Sequence, residues 1–459
     1  MIFSRRAQQR RLDTLATALP AASLAGLVQR LNGPVDGRMA AEWELVWLAA
    51  LAPSVSLAYE QALADGREPD LHLTLAGGRE LVGDITYASD KGLNERNPVD
   101  RLGPELSRLA RKHGLVANHF RLDIGSEREG EYGDETVRLA LPERSQLQAL
   151  FKRHVEPWLR AVAKEDLREP LRYREDGVEF TLSYHPEQAY YSSSYASYAT
   201  PYSLTQNPIY AALRKKARQL GAAPEAALKL VLLCDGGCNA LRASNYNMGG
   251  AVSAEQIVQE FLRGTKSVDA VLLVAVVEPG PMPFGQRKPL YLEHRLLVSS
   301  RLGDPRSGPH ARDLAELEAL LSAAAGRLPM PVRTPLNATH RLDELRRKKH
   351  GYPSHTAGRY HYGGEGYMIS SRLLHELLAG ALSFEEFQRA HGWDRPERQP
   401  GNIFAHMLAQ GRPIAAMEIV PGEADDDDDW YRVRFGEADA AIGPFRLPVA
   451  RSGRGQAPD

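Results

Sequence analysis

Two uninterrupted apolar segments restrict the fold of this chain more than any other feature. Leu230–Leu233 and Ala270–Val277 contain no polar residue, and a helical pattern at Ser253–Leu262 lies between them. Apolar segments of this kind suit central strands that are covered on both faces. The sequence therefore predicts an α/β fold, with a mixed central sheet flanked by helices.

The length of 459 residues predicts two or three domains. We expect residues 1–305 to form a large α/β domain with an insertion at about 115–205. Glycine and proline interrupt residues 306–335, which are expected to act as a linker region. Residues 336–459 are then a smaller C-terminal α+β domain.

Charge and cysteine content exclude several classes of protein. Lys and Arg number 57 against 58 Asp and Glu, so a site for nucleic acid must be a local patch. Two cysteines exclude a disulfide scaffold and indicate a reducing, cytoplasmic environment. No apolar segment approaches the roughly 18 residues that a membrane-spanning helix needs, and the N-terminal pattern is not that of a signal peptide.

Acidic residues on two neighbouring predicted strands form the main candidate site. Asp70 opens the strand ending at Leu75, and Asp84 lies within Glu80–Tyr87. If these strands pair, the two carboxylates converge on one face and raise each other's pKa unless a cation neutralises them. Mg²⁺ suits such a pair. Glu44, on the preceding predicted helix, is the best third acid, and Glu42 is the second choice.

An Asn-Pro pair begins each of two predicted helices. Asn97–Pro98 precedes a helix that is expected to end near His113, and Asn207–Pro208 precedes one that ends near Leu220. Asparagine is a favoured N-cap and proline a favoured first helical residue. The second helix is basic and contains no acidic residue.

These motifs together resemble the PD-(D/E)-x-K nuclease superfamily. The matching residues are Glu44, Pro69-Asp70, Asp84-Ile85-Thr86 and the basic helix with Lys215–Gln219, which precedes an apolar strand. The resemblance implies a restriction-endonuclease-like core and a DNA endonuclease that depends on Mg²⁺ or Mn²⁺. It also implies that Asp70 and Asp84 hold the metal with support from Glu44. The biological role that the resemblance implies is restriction, phage defence or DNA repair.

One position departs from the motif. Thr86 stands where the superfamily has lysine, and threonine cannot supply a positive charge. Lys91 is the nearest replacement, and Lys216 on the basic helix is another. The expected catalytic residues are therefore Glu44, Asp70, Asp84 and Lys91. The alternative is an inactive nuclease-like scaffold that binds nucleic acid or a protein partner.

Two basic segments are candidates for binding DNA. One is the helix with Lys215, Lys216 and Arg218, and the other contains Lys348 and Lys349. Lysine and arginine neutralise backbone phosphates, although a solvated basic surface gives the same pattern. We expect the C-terminal domain to bind DNA or a protein partner.

Cys234 and Cys238 end an apolar strand and support a different hypothesis. A Cys-x-x-x-Cys pair is compatible with redox chemistry or metal binding, and the chain would then be an unrelated α/β enzyme. No second Cys/His pair lies nearby to complete the four ligands that zinc requires. A structural role for this turn is the simpler interpretation.

Overall fold

The computed structural model divides the chain into two compact units. The larger comprises Ile2 and residues 11–336, and it includes the segment expected as a linker. The smaller comprises residues 3–10 and 337–459. The structure describes residues 2–33, 35–131, 135–165, 167–188, 191–242, 251–279, 289–303, 307–335, 358–360, 366–391, 393, 401–422, 429–439 and 441–442.

The strands of the described part are numbered in chain order. They are β1 (Leu57–Ala58), β2 (Leu71–Thr74), β3 (Glu80–Ala88), β4 (Phe120–Ile124), β5 (Ser126–Glu129), β6 (Thr136–Leu139), β7 (Leu171–Glu175), β8 (Val178–Tyr184), β9 (Ser192–Ser194), β10 (Leu228–Asp235), β11 (Ala270–Val277), β12 (Tyr291–Val298), β13 (Gly358–Tyr360), β14 (Gly366–Ser370), β15 (Ile414–Val420) and β16 (Trp430–Phe435).

The helices are numbered in the same way. They are α1 (Arg5–Leu15), α2 (Ala21–Asn32), α3 (Val35–Leu51), α4 (Lys91–Arg96), α5 (Val99–Lys112), α6 (Leu147–Leu150), α7 (Glu156–Glu165), α8 (Pro208–Gln219), α9 (Asn239–Arg242), α10 (Ala254–Gly264), α11 (Ala311–Ala325), α12 (Ser371–Leu378), α13 (Phe384–His391) and α14 (Ile403–Ala409). None of the described helices combines the length and the apolarity that crossing a bilayer requires.

A six-stranded mixed sheet forms the centre of the larger unit. Its strand order is β1-β2-β3-β10-β11-β12. The pairs β3–β10 and β10–β11 are parallel, whereas β1–β2, β2–β3 and β11–β12 are antiparallel. The two apolar segments are therefore interior strands, and the predicted mixed central sheet is confirmed.

Helices flank this sheet. On β10, Val231 and Leu233 pack in one buried cluster with side chains of α8 and α10. The alternate residues Leu230 and Leu232 point to the opposite face and are equally buried. Helix α3 packs against β3, and its Trp43 Nε1 donates to the Asp235 carbonyl at 3.0 Å. Coverage on both faces explains why Leu230–Leu233 of β10 and the whole of β11 are apolar.

The segment between β3 and α8 has a hydrophobic core of its own. A four-stranded sheet of order β7-β8-β4-β9 packs with α5, α6 and α7. Phe120 and Trp158 lie in this core with their ring centroids 6.2 Å apart. The insertion expected at about 115–205 thus includes a separately packed layer, which begins with α5.

The two Asn-Pro pairs have different roles. Asn207 caps α8, because its Oδ1 accepts from the Tyr210 backbone N–H at 2.8 Å. Asn97 is not a cap, since α5 begins at Val99 without a side-chain cap. Its Oδ1 instead accepts from the Leu139 N–H at 2.8 Å. The N-cap prediction at Asn97 was therefore wrong, because a tertiary contact takes the side chain that a cap would use.

The smaller unit contains a four-stranded antiparallel sheet of order β13-β14-β16-β15. Tyr367, Ile369 and Val433 are buried together with Leu373 of α12 and Phe387 of α13. Helices packed on an antiparallel sheet give this unit the expected α+β character.

Candidate active site

Asp70 and Asp84 meet across the β2–β3 hairpin. Leu71 pairs with Gly83, so Asp70 faces Asp84 in the next position of the antiparallel register. Asp70 Oδ2 accepts from the Ile85 N–H at 2.8 Å. Both side chains are buried, Asp84 completely. The hairpin therefore brings the two carboxylates to one face of the sheet.

Lys216 supplies the positive charge between these carboxylates. Its Nζ lies 2.9 Å from Asp84 Oδ1 and 3.6 Å from Asp70 Oδ2. Burial alone would lower the pKa of Lys216, but the charges of Asp70 and Asp84 outweigh burial and raise it. The ammonium group is thus charged and held against both acids.

Gln219, one turn further along α8, fixes the position of this lysine. Its Oε1 accepts from Lys216 Nζ at 3.2 Å, and its Nε2 donates to the Glu68 carbonyl at 3.1 Å. Glu68 lies two residues before Asp70 in the chain. The amide therefore links the lysine to the backbone that carries the first aspartate.

Glu44 of α3 is the third acid of this cluster. Its Oε2 accepts from Arg30 Nη2 at 2.6 Å and from the Tyr59 hydroxyl at 3.1 Å. Burial, followed by the charge of Asp70, raises the pKa of Glu44 to about 7. Glu42 has a structural role instead, because its Oε2 accepts from the Ile2 N–H at 2.7 Å.

The cluster carries more negative charge than its cations offset. Burial and the charge of Asp70 raise the pKa of Asp84 to about 8, although Lys216 opposes the change. Asp84 Oδ2 is buried and has no hydrogen-bond partner in the described part of the chain. An oxygen of this kind gains most from a proton or from a cation.

This donor set fits a hard divalent cation. Mg²⁺ is commonly held by one or two carboxylates and retains several water molecules. Asp70 and Asp84 offer such a pair, and the unpartnered Asp84 Oδ2 is available as a metal ligand. Among the described residues, no three His, Cys, Asp or Glu side chains form a ready-made metal cluster. Water would therefore have to complete the coordination.

The other predicted residues are exposed or lie beyond the described part of the chain. Lys91 begins α4 after the end of β3, and its side chain is exposed. Lys215 and Arg218 are exposed on α8, whereas Lys216 is turned inward. Lys348 and Lys349 lie outside the described residues.

The two cysteines are inert in this fold. Both are free and completely buried, and burial raises the pKa of each thiol well above its usual value. The turn that joins them is structural, because Asp235 Oδ1 accepts from the Gly237 N–H at 2.7 Å. A Cβ at Gly236 would lie 2.8 Å from the Ala88 carbonyl, so this position requires glycine.

Arg30, Tyr59 and Gln219 were not among the predicted site residues. Only Gln219 had a local signal, since it ends the basic helix. Comparison of the chain with protein-family models, with curated proteins and with solved structures finds no match. The geometry of the site is therefore the basis for assigning a function.

Proposed function

We propose that this chain is a metal-dependent DNA endonuclease of the PD-(D/E)-x-K type. The observation that carries the proposal is the Lys216 ammonium group, which contacts two acids that face each other across the β2–β3 hairpin. The order of α3, β1, β2, β3, α8 and β10 along the chain supports a restriction-endonuclease-like core. Lys216 then performs the role that Thr86 cannot.

Helix α8 can supply this lysine because it covers the face of the sheet that carries the acids. Ile209 and Leu213 of α8 pack in the same buried cluster as Val82 of β3. Val82 and Asp84 are two residues apart on one strand, so they point to the same face. Lys216, on the next turn of α8, therefore reaches the acids. The positive charge of the motif is retained, although it comes from a different position in the chain.

Each residue has a distinct part in the proposed reaction. Asp70 and Asp84 would hold Mg²⁺ or Mn²⁺, and Glu44 would accept a hydrogen bond from water at the site. Bound there, the ion would supply Lewis-acid polarisation of the phosphoryl oxygen and stabilisation of negative charge on the leaving oxygen. Lys216 orients the attacking water and offsets the charge that develops on phosphorus-bound oxygens.

Exposed cations on the helix that carries Lys216 favour DNA as the substrate. Arg214, Lys215 and Arg218 lie on solvent-facing positions of α8, next to Lys216 in the chain. Positive side chains at such positions bind backbone phosphates without reading sequence. Cleavage of DNA in restriction, phage defence or repair is the class of role that we propose, inside the cytoplasm.

A pair of variants on α8 tests the proposal. Lys216→Met should lower the kcat of plasmid nicking with Mg²⁺ by about 100- to 1,000-fold, as expected for loss of a charge that stabilises the transition state. Lys215→Met removes a neighbouring exposed lysine, so it should raise KM and leave kcat nearly unchanged. Equal kcat values for the two variants would contradict the assignment of Lys216.

The second candidate function is an inactive scaffold that binds nucleic acid or a protein partner. Thr86 in the motif position favours it, as does the lack of three converging ligands among the described residues. Under this alternative the wild-type protein binds DNA, does not nick it with Mg²⁺ or Mn²⁺, and binds equally well after Asp84→Asn. Metal-dependent nicking that Asp84→Asn abolishes would exclude it.

A further inference from the structure

Two residues that the motif does not contain hold the carboxylate of Glu44. Arg30 is on α2, and Tyr59 follows β1, so neither residue is close to Glu44 in the chain. Arg30 Nη2 and the Tyr59 hydroxyl both donate to the same oxygen, Glu44 Oε2. Arg30 also donates to the Tyr59 oxygen, which closes a three-membered network.

The network leaves one oxygen of Glu44 unused. No hydrogen bond within the described part of the chain engages Glu44 Oε1, although the side chain is only 5% exposed. The charge of Asp70 contributes to the raised pKa of Glu44, so the Glu44 carboxylate lies near this proposed metal ligand. A carboxylate held by one oxygen presents the other in a fixed direction.

The backbone next to Tyr59 is adapted to this arrangement. Glu60 has a φ of +54°, a left-handed conformation that is unfavourable for residues other than glycine. The Glu60 Oε1 lies 3.5 Å from Arg30 Nη2, so Tyr59 and Glu60 contact the same guanidinium group. Strain of this kind persists where surrounding contacts determine the conformation, and it clusters at functional sites.

We propose that Tyr59 and Arg30 are positioning residues that orient Glu44 toward the metal ion. This inference rests on the proposed function. A glutamate side chain loses considerable rotational freedom when it is fixed, and the network removes that freedom before the ion binds. Glu44 Oε1 would then accept a hydrogen bond from a water molecule that a bound ion retains.

Tyr59→Phe is the decisive variant because it removes one hydrogen-bond donor and keeps the ring and the net charge. We expect the Kd for Mn²⁺, measured by calorimetry on the full chain without DNA, to rise by about 10- to 100-fold, the usual effect of losing a residue that orients a ligand. Tyr173→Phe is the matched control. Its hydroxyl donates to the Glu175 carboxylate at 3.4 Å, in the insertion, so Mn²⁺ affinity should not change.

A double-mutant cycle tests whether Tyr59 acts through Glu44. In the Glu44→Ala background, Tyr59→Phe should cause no further loss of Mn²⁺ affinity, because the group that it positions is absent. Arg30→Lys retains the charge and one donor, so it should bind Mn²⁺ better than Arg30→Gln. This second pair keeps the test available if Tyr59→Phe fails to fold.

The outcomes separate the inference from the proposed function. If the wild type binds Mn²⁺ and nicks DNA while Tyr59→Phe binds Mn²⁺ as tightly, the positioning role is wrong and the nuclease remains. Additive losses in the double-mutant cycle would also overturn the positioning role. If the wild type neither binds Mn²⁺ nor nicks DNA, the proposed function fails, and the inference fails with it.

Discussion

Asp84→Asn should stabilise the metal-free protein, although it removes a proposed metal ligand. The side chain is completely buried, and its second carboxylate oxygen has no partner in the described part of the chain. A charge in this position opposes folding. Asparagine keeps the shape of aspartate and one acceptor oxygen without that charge, so the folded state should gain from the exchange.

The magnitude follows from the pKa of Asp84. Burial and the charge of Asp70 raise it from the ordinary value of 3.8 to about 8. The folded state therefore binds this proton more tightly than the unfolded state, and its stability falls as the pH rises from about 4 to about 8. At about 1.4 kcal/mol per pH unit, the cost at pH 7 is about 4 kcal/mol. Asparagine still has a buried polar group to satisfy, so we expect a net gain of about 2 kcal/mol.

Urea unfolding in the presence of chelator provides the measurement. The midpoint of Asp84→Asn should exceed that of the wild type at pH 8, and the order should reverse near pH 4, where the charge of Asp84 no longer opposes folding and the cost of burying the asparagine amide remains. Added Mg²⁺ should raise the midpoint of the wild type only, because a ligand stabilises the state that binds it. A variant that is less stable than the wild type at pH 8, or a difference that does not depend on pH, would refute the reasoning.

Two further predictions concern the pH dependence of nicking and the reactivity of the thiols. The rate of nicking at limiting Mg²⁺ should increase between about pH 6 and pH 9. Glu44 and Asp84, with pKa values of about 7 and about 8, must lose their protons before the site can bind the ion. A rate that falls over this range would contradict the assignment of the metal ligands. Cys234 and Cys238 should not react with a colorimetric thiol reagent in the native protein, because both are buried and protonated, and two thiols should react after unfolding. Rapid labelling of the native chain would contradict this.

Much of the fold could be predicted because its signals are local. The interior strands β10 and β11 are apolar on both faces, and no other position in a mixed sheet favours that composition. The Asn207–Pro208 pair begins α8 through contacts within a single turn. At Asn97–Pro98 the same pattern gave a wrong N-cap prediction, because the Asn97 side chain accepts from the N–H of Leu139, 42 residues away.

The acids of the candidate site were found for a similar reason. Asp70 directly precedes β2 and Asp84 lies on β3, so the register of one hairpin with a short turn brings them together. Arg30 and Tyr59 could not be predicted in this way, because they reach Glu44 from separate elements. Residues of that kind leave no spacing that a sequence pattern can detect.

The sequence by itself determined a mixed, doubly covered sheet with two aspartates on one face of a hairpin. Only the tertiary structure decided which lysine accompanies them. Lys216 and Asp84 are 132 residues apart, and the insertion between β3 and α8 separates them in the chain. Nearness in sequence favoured Lys91, but a charge acts over distance in space, and the packing of α8 on β3 brings the ammonium group of Lys216 to within 2.9 Å of the buried carboxylate.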